Sequence, residues 1–160
     1  MLLQPGDKAP DFTTTDQNGA TVSLKDFKGK KVALYTYPED DTPTCTIEAC
    51  NLRDNFPLLA QKGITVLGVS PDDAKSHKKF ENKFSLPFTL LADPEMEIIN
   101  KYGVYGEKQM YGRKYMGIFR RTFLINEKGV IEHIINVVRS KNHTAQILKA
   151  WGMEQGSSGV

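Results

Sequence analysis

Tyr37-Pro38-Glu39-Asp40-Asp41-Thr42-Pro43-Thr44-Cys45-Thr46-Ile47-Glu48-Ala49-Cys50 joins a strand to a helix and carries both cysteines of the 160-residue chain. Just upstream, Lys31-Val32-Ala33-Leu34-Tyr35-Thr36 is an apolar run of strand length. Pro38 ends it, because proline has no N–H for a sheet ladder. Downstream, Thr42 is a good N-cap and Pro43 suits the first helical position, so the spacing predicts a helix from about Pro43 to about Ala60. Pro57 should kink or break that helix near its end. Cys45 then falls in the first turn, where backbone N–H groups lack intrahelical partners and the helix dipole favours negative charge. In such settings a thiol pKa of about 8.5 drops to anywhere from about 3.5 to 7.5, and the thiolate is the nucleophile.

Cys50 lies five residues on. At 1.5 Å and 100° per residue, the two Cα atoms of an intact helix are roughly 8–9 Å apart and on different faces. A disulfide usually needs Cα atoms closer than about 7 Å. The pair therefore bonds only if the helix locally unwinds. This argues against a static structural disulfide, and the spacing differs from the two intervening residues of a thioredoxin-type site.

Beyond this segment, strands and helices keep alternating. Ile64–Ser70 reads as a second buried strand after Gly63. Asp72 or Asp73 caps a helix through about Phe84, with Ala74, His77, Phe80 and Phe84 at helical spacing. Pro87–Leu91 gives a third short strand, and Asp93-Pro94 opens a short helix to about Lys101. Asp11 to Ser23 alternates around Asn18-Gly19, a hairpin signal. Phe119–Ile125 and Val130–Val137 flank Asn126-Glu127-Lys128-Gly129 as a second hairpin, and a last helix runs from Asn142 or His143 to about Trp151. The pattern predicts an α/β fold, a three-layer α/β/α sandwich with a mixed central sheet and an N-terminal β-hairpin. Gly103 to Gly117, with Tyr105, Tyr111 and Tyr115 among Lys108, Arg113 and Lys114, reads as a long loop that walls the site or meets a partner. One domain is expected over residues 1–151, followed by a flexible Gly/Ser-rich tail at 152–160.

Hydrophobic residues make up 39% and charged residues 25%, which fits an ordinary soluble domain. A net charge of +2 is too mild to argue for nucleic acid or an anionic membrane, even with the basic and aromatic mixture at 103–117. The longest strongly apolar runs span only a few residues, too short to cross a bilayer. Met1-Leu2-Leu3-Gln4-Pro5-Gly6 lacks a basic start and a long apolar core, so no secretory signal is read and a reducing, cytoplasmic setting is expected. A close cysteine pair there is more often catalytic or metal-binding than structural. A zinc site built from Cys45, Cys50 and some of His77, His133 and His143 is the rival, though no second paired motif follows. The histidines read as surface or boundary residues, and His77, among Lys75, Lys78, Lys79 and Lys83, as part of a solvated helix face. Asp40 and Asp41 read as turn residues.

Tyr37-Pro38, Thr42-Pro43-Thr44-Cys45-Thr46 and Glu48-Ala49-Cys50 together resemble the active-site segment of the peroxiredoxin Q class, also called bacterioferritin comigratory protein. Pro5-Gly6-Asp7-Lys8-Ala9-Pro10-Asp11-Phe12, Leu67-Gly68-Val69-Ser70, Lys79-Phe80, Leu86-Pro87-Phe88 and Gly117–Ile125 fall in the expected order, so the likeness spans roughly Pro5 to Trp151. The resemblance implies a thioredoxin-like fold and a thiol peroxidase that reduces hydrogen peroxide and organic hydroperoxides without metal, haem or flavin. It implies Cys45 as the peroxidatic cysteine and Cys50 as the resolving one, closing a disulfide that thioredoxin or a similar dithiol reduces. Thr42 would hydrogen-bond the peroxide, Pro43 would shield the sulfur, and Arg120 would stabilise the thiolate and the leaving oxygen. It also implies a monomer, with dimerisation through short sheet or helix contacts left open.

Three residues depart from the family pattern. Thr44 stands where glycine is common, Thr36 where an aromatic is common, and Arg121 where serine is common. Thr44 would narrow the pocket or stiffen the turn that must unwind. Strand alternation sends Arg120 and Arg121 to opposite faces, and register selects Arg120. A non-enzymatic thioredoxin-fold module, switched by the cysteine pair, is the alternative function.

Overall fold

The protein is described by a computed structural model covering residues 2–153. Nine strands and five α-helices, with two short 3₁₀ turns, follow in chain order among these residues. β1 (Thr13–Thr15) and β2 (Thr21–Ser23) form the N-terminal hairpin, with Gly19 in the turn at φ +79°. Then come β3 (Lys31–Thr36), α1 (Pro43–Asp54), α2 (Phe56–Gln61), β4 (Ile64–Ser70), α3 (Ala74–Phe84), β5 (Thr89–Ala92) and α4 (Glu97–Lys101). β6 (Tyr105–Met110), β7 (Arg113–Ile118), β8 (Arg121–Ile125), β9 (Ile131–Ile135) and α5 (His143–Ala150) complete the chain.

Five strands make one mixed sheet in the order β5-β4-β3-β8-β9. β3 lies at its centre, parallel to β4 and antiparallel to β8, with Leu34 facing Leu67 on one side and Phe123 on the other. Alternate β3 side chains go to opposite faces, as the strand repeat requires. Val32 and Leu34 join Phe12, Ile98, Ile99, Tyr102 and Phe123 in one core, while Ala33 and Tyr35 join Cys45, Leu52, Phe80 and Ile147 in the other. α4 and the N-terminal segment thus cover one face, and α1, α2, α3 and α5 the other. This is the three-layer arrangement with an N-terminal hairpin that the sequence predicts. Among the described residues no helix is long and apolar enough to cross a membrane.

Several local expectations shift. The helix from Pro43 is interrupted at Asn55 (φ −108°, ψ 10°), so Pro57 sits in the first turn of α2, where its missing N–H costs no bond. The helix expected at Asp93-Pro94 begins only at Glu97, and the Asp93 carboxylate accepts from the N–H groups of Ile98 and Ile99 at 3.1 and 2.8 Å. Gly103–Gly117 is not a loop: most of it forms the β6–β7 hairpin, turned by Tyr111 (φ 52°) and Gly112 (φ 77°). Two consecutive residues at positive φ make the tight turn whose twist matches paired strands. The tail expected at 152–160 lies outside the described residues from 154 onward.

Candidate active site

β3 ends at the rim of the sheet, and the chain turns through residues 37–41 into α1. The turn is tied down from one side. Tyr37, stacked on Tyr35, donates its hydroxyl to Asp40 Oδ1 at 2.6 Å. Asp40 Oδ2 accepts from Ser76 Oγ at 2.8 Å and lies 2.7 Å from His77 Nδ1, while the Asp40 N–H donates to Asp72 Oδ2 at 2.8 Å. Asp41 adopts φ 60° and pairs with Lys83 at the surface. The strained turn is therefore fastened to α3 before the helix begins.

This network corrects the reading of His77. It is fully buried, not part of a solvated face, because Asp40 and the Leu91 carbonyl (2.8 Å from Nε2) satisfy both ring nitrogens. His143 is also fully buried, and only His133 of the three lies at a boundary. The rival cysteine–histidine metal set is not brought together. Among the described residues the cluster of three ligand-type groups is Asp40, Asp72 and His77, which contains neither cysteine and is already hydrogen-bonded internally.

Thr42 is the N-cap of α1 with extended backbone, and its carbonyl accepts the first helical bond from the Thr46 N–H at 2.8 Å. Its hydroxyl does not cap the helix; it donates to the Glu39 carbonyl at 3.3 Å. Pro43 occupies the first helical position and is exposed, as is Thr44. The Thr44 side chain thus faces solvent instead of narrowing a pocket. Cys45 sits one residue further, 2% exposed, in the first turn. Cys50 is half-buried on the same unbroken helix, and both thiols are free.

Arg120 faces inward as register predicts. Its Nη2 donates to Cys45 Sγ at 3.0 Å and its Nη1 to Glu48 Oε1 at 3.1 Å. Arg121 goes the other way: its Nη1 donates to the Gly103 carbonyl at 3.3 Å and its guanidinium lies 4.9 Å from the Phe119 ring centroid. Thr36 explains how the segment is held. Its hydroxyl donates to the Phe119 carbonyl at 2.8 Å, and its oxygen accepts from the Arg121 N–H at 3.2 Å, so both neighbours of Arg120 are pinned to β3. An aromatic residue at 36 could make neither bond. Lys108 of β6 lies 5.8 Å from the Phe119 ring, so the hairpin borders the site. Burial and the nearby Arg120 lower its ammonium pKa, while Cys45 acts in the opposite direction.

Behind Arg120 lies a buried polar group that residue patterns did not reveal. Glu48 belongs to the cysteine motif and is fully buried. Burial pushes its carboxyl up to about 8, against the lowering effect of Arg120. His143 Nδ1 stands 3.2 Å from Glu48 Oε2, and its Nε2 is 2.7 Å from Thr122 Oγ1. Burial first, then the Arg120 charge, hold the imidazole down at about 3, so this contact is not an ion pair at neutral pH. A helical glutamate gives no sign of burial by itself; the sign lies in distant chain segments that converge on it.

A first-turn thiol, a guanidinium in contact with the sulfur and a second thiol on the same helix can reduce an electrophile and then form a disulfide. Comparisons with known proteins identify the family. Residues 5–134 match the AhpC/TSA family. The chain is 43% identical over 146 residues to peroxiredoxin Bcp of Escherichia coli, covering 91% of this chain and 94% of that one. The fold superposes on a PrxQ variant from Xylella fastidiosa with a TM-score of 0.87 at 29% identity, covering 95% and 97% of the two chains. It also superposes on the bacterioferritin comigratory protein of Xanthomonas campestris, from a study of its alkyl peroxide reduction activity. There the TM-score is 0.83 at 30% identity, over 95% and 96% of the chains.

Proposed function

This chain belongs to the AhpC/TSA family and is a thiol peroxidase with the thioredoxin-like fold of the peroxiredoxin Q class, and from there we propose that Cys45 is its peroxidatic nucleophile and Cys50 its resolving thiol. One observation carries the assignment: the Arg120 Nη2 donates to Cys45 Sγ at 3.0 Å in the first turn of α1. A charge-assisted hydrogen bond of this kind favours a thiolate over a thiol.

The reaction then runs in three steps. The Cys45 thiolate attacks one peroxide oxygen; an S–O bond forms, the O–O bond breaks, and the departing alkoxide or hydroxide takes a proton to leave as alcohol or water. Arg120 stabilises the negative charge as it passes from sulfur to the leaving oxygen. The Thr42 hydroxyl orients the peroxide, and Pro43 screens the sulfur from solvent. Sulfur is oxidised to sulfenic acid, which a thiol captures before further oxidation. α1 opens, the Cys50 thiolate attacks the sulfenic sulfur, water leaves, and a Cys45–Cys50 disulfide forms. Finally a dithiol reductant of the thioredoxin kind gives two electrons and two protons to restore both thiols.

The substrates are hydrogen peroxide and organic hydroperoxides; activity on alkyl peroxides in the Xanthomonas protein supports the latter. Since both sulfurs lie on one helix of one chain, a monomer suffices. A close pair of reactive cysteines suits a reducing compartment, and the cytoplasm is the proposed location. Mass spectrometry after one equivalent of peroxide, with and without thioredoxin, tests the nucleophile, the disulfide and the reductant together. Cys45→Ser should abolish turnover. Cys50→Ser should reduce one equivalent and then stall with thioredoxin as the sole reductant. Peroxide consumption by the wild type no faster than that of a free thiol at matched pH would overturn the assignment.

A further inference from the structure

Four segments bring their polar groups together behind the nucleophile. Glu48 comes from α1, Arg120 from the junction of β7 and β8, Thr122 from β8 and His143 from the start of α5. Arg120 spans two acceptors, the Cys45 sulfur at 3.0 Å and Glu48 Oε1 at 3.1 Å. Glu48 Oε2 and His143 Nδ1 face each other at 3.2 Å, and neither has another hydrogen-bond partner among the described residues. The far side of the imidazole meets the Thr122 hydroxyl at 2.7 Å. Glu48, Thr122 and His143 are all completely buried.

We propose that His143 is a positioning residue of the peroxidase reaction: through Glu48 it decides how the Arg120 guanidinium divides its charge between the carboxyl group and the Cys45 sulfur. This rests on the reading of Cys45 as the nucleophile.

One guanidinium serves two acceptors. An ionised Glu48 draws its charge away from the sulfur, and a neutral Glu48 leaves it there. With the carboxyl pushed up to about 8 and the imidazole held at about 3, both are neutral near pH 7. The carboxyl O–H then donates to His143 Nδ1, and Nε2–H donates to Thr122. When Glu48 ionises, the imidazole changes tautomer: Nδ1–H donates to the carboxylate, and Nε2 accepts from the Thr122 hydroxyl. A hydroxyl can take either role, which a carbonyl or an amine at 122 could not.

Other titratable groups around the pair are Tyr35 of β3, whose ring lies edge-on to the imidazole with centroids 5.4 Å apart, and Cys45. Burial pushes Tyr35 far up, so it stays neutral. Asp40 acts on Tyr35, and Lys108 on Arg120. On β9, Glu132 is engaged by Trp151 and His133 is half-buried; Arg139 and Lys141, just before α5, are exposed.

The test reads the Cys45 thiolate by its ultraviolet absorbance in a Cys50→Ser background, so that one sulfur reports. In His143→Asn the side-chain amide lies near the Nδ1 position and can still serve Glu48. In His143→Gln it lies near Nε2 and serves only Thr122. The expected result is a thiolate titration displaced by about one pH unit in His143→Gln, and wild-type behaviour in His143→Asn. Equal behaviour of the two variants, shifted or not, would overturn the proposal. Nitrogen NMR of the unmutated enzyme needs no variant to fold: His143 should carry its proton on Nε2 at pH 6 and change tautomer near pH 8. A proton on Nδ1 throughout would also overturn it. Failure of the Cys45 assignment is separate, since it would show as absent peroxide reactivity in the wild type.

Discussion

If disulfide formation requires α1 to open, loosening what holds α1 shut should speed that step alone. Asn51 is the residue to change. It follows Cys50 directly, and its side chain ties the helix to the segment leading into α5: Nδ2 donates to the Lys141 carbonyl at 2.8 Å, and Oδ1 accepts from the Thr144 N–H at 2.9 Å. Asn51→Ala removes both bonds. At about 1 kcal/mol each, the closed helix loses about 2 kcal/mol. Alanine returns about 0.6 kcal/mol through its better helix propensity. The net of about 1.4 kcal/mol raises the open population about tenfold. Neither bond touches Cys45 or Arg120, so the first oxidation should keep its wild-type rate. The assay oxidises reduced enzyme with one equivalent of peroxide, quenches with an alkylating reagent at intervals, and follows sulfenic acid and disulfide by mass. Disulfide should appear about tenfold faster in Asn51→Ala, and amide exchange over residues 46–51 should accelerate to match. Faster exchange with an unchanged disulfide rate would refute the idea that helix opening limits resolution.

Three further outcomes follow from the geometry. Arg120→Met should slow the reaction of Cys45 with peroxide by about a hundredfold to a thousandfold in stopped-flow measurements, since it deletes the donor that follows the moving charge; a loss below tenfold would demote Arg120 to packing. The Glu48–His143 pair should give a stability plateau in pH-dependent melting. Between 4.5 and about 8 the native state holds a Glu48 proton that the unfolded chain lacks, so stability falls as pH rises; between about 3 and 6.5 the unfolded chain holds a His143 proton that the native state lacks, so stability rises with pH. The two cancel from about pH 4.5 to 6.5, and Glu48→Gln should remove the alkaline decline; its persistence would locate the titrating group elsewhere. Gly68→Ala should cost about 1–3 kcal/mol in denaturant unfolding, because its Cβ would meet the Tyr35 ring at 2.9 Å; an unchanged midpoint would mean that the ring moves freely.

The strands and helices that obey a clear period were readable residue by residue. β3 and β4 match their expected spans from Lys31 and Ile64, and α3 begins after the Asp73 cap, whose side chain accepts from the Ser76 N–H. Cys45 and Arg120 also fall where motif and register put them, in contact. The β6–β7 hairpin escaped because both of its faces are largely open to solvent, which erases the alternation a half-buried strand shows. Its turn uses Tyr111 at positive φ, where asparagine or aspartate would have signalled the bend. His77 and His143 escaped for a different reason. Local sequence gives no hint that Asp40, the Leu91 carbonyl, Glu48 and Thr122 will arrive to satisfy them. Buried polar residues are specified by long-range partners, and single-chain patterns carry no record of those.

The placement of both sulfurs on the twelve residues of α1 has a consequence for chemistry in a crowded cell. Once the helix opens, Cys50 is a tethered reactant whose effective concentration around Cys45 is in the millimolar range or above, whatever the enzyme's abundance. Resolution is then first order and indifferent to dilution. A small-molecule thiol must reach comparable levels to intercept the sulfenic acid, and a second enzyme molecule at micromolar concentration has no chance to do so. If Cys50 resolves Cys45 as proposed, the disulfide step would thus behave alike when the enzyme is scarce and when it is abundant, and only the final reduction would depend on meeting another molecule.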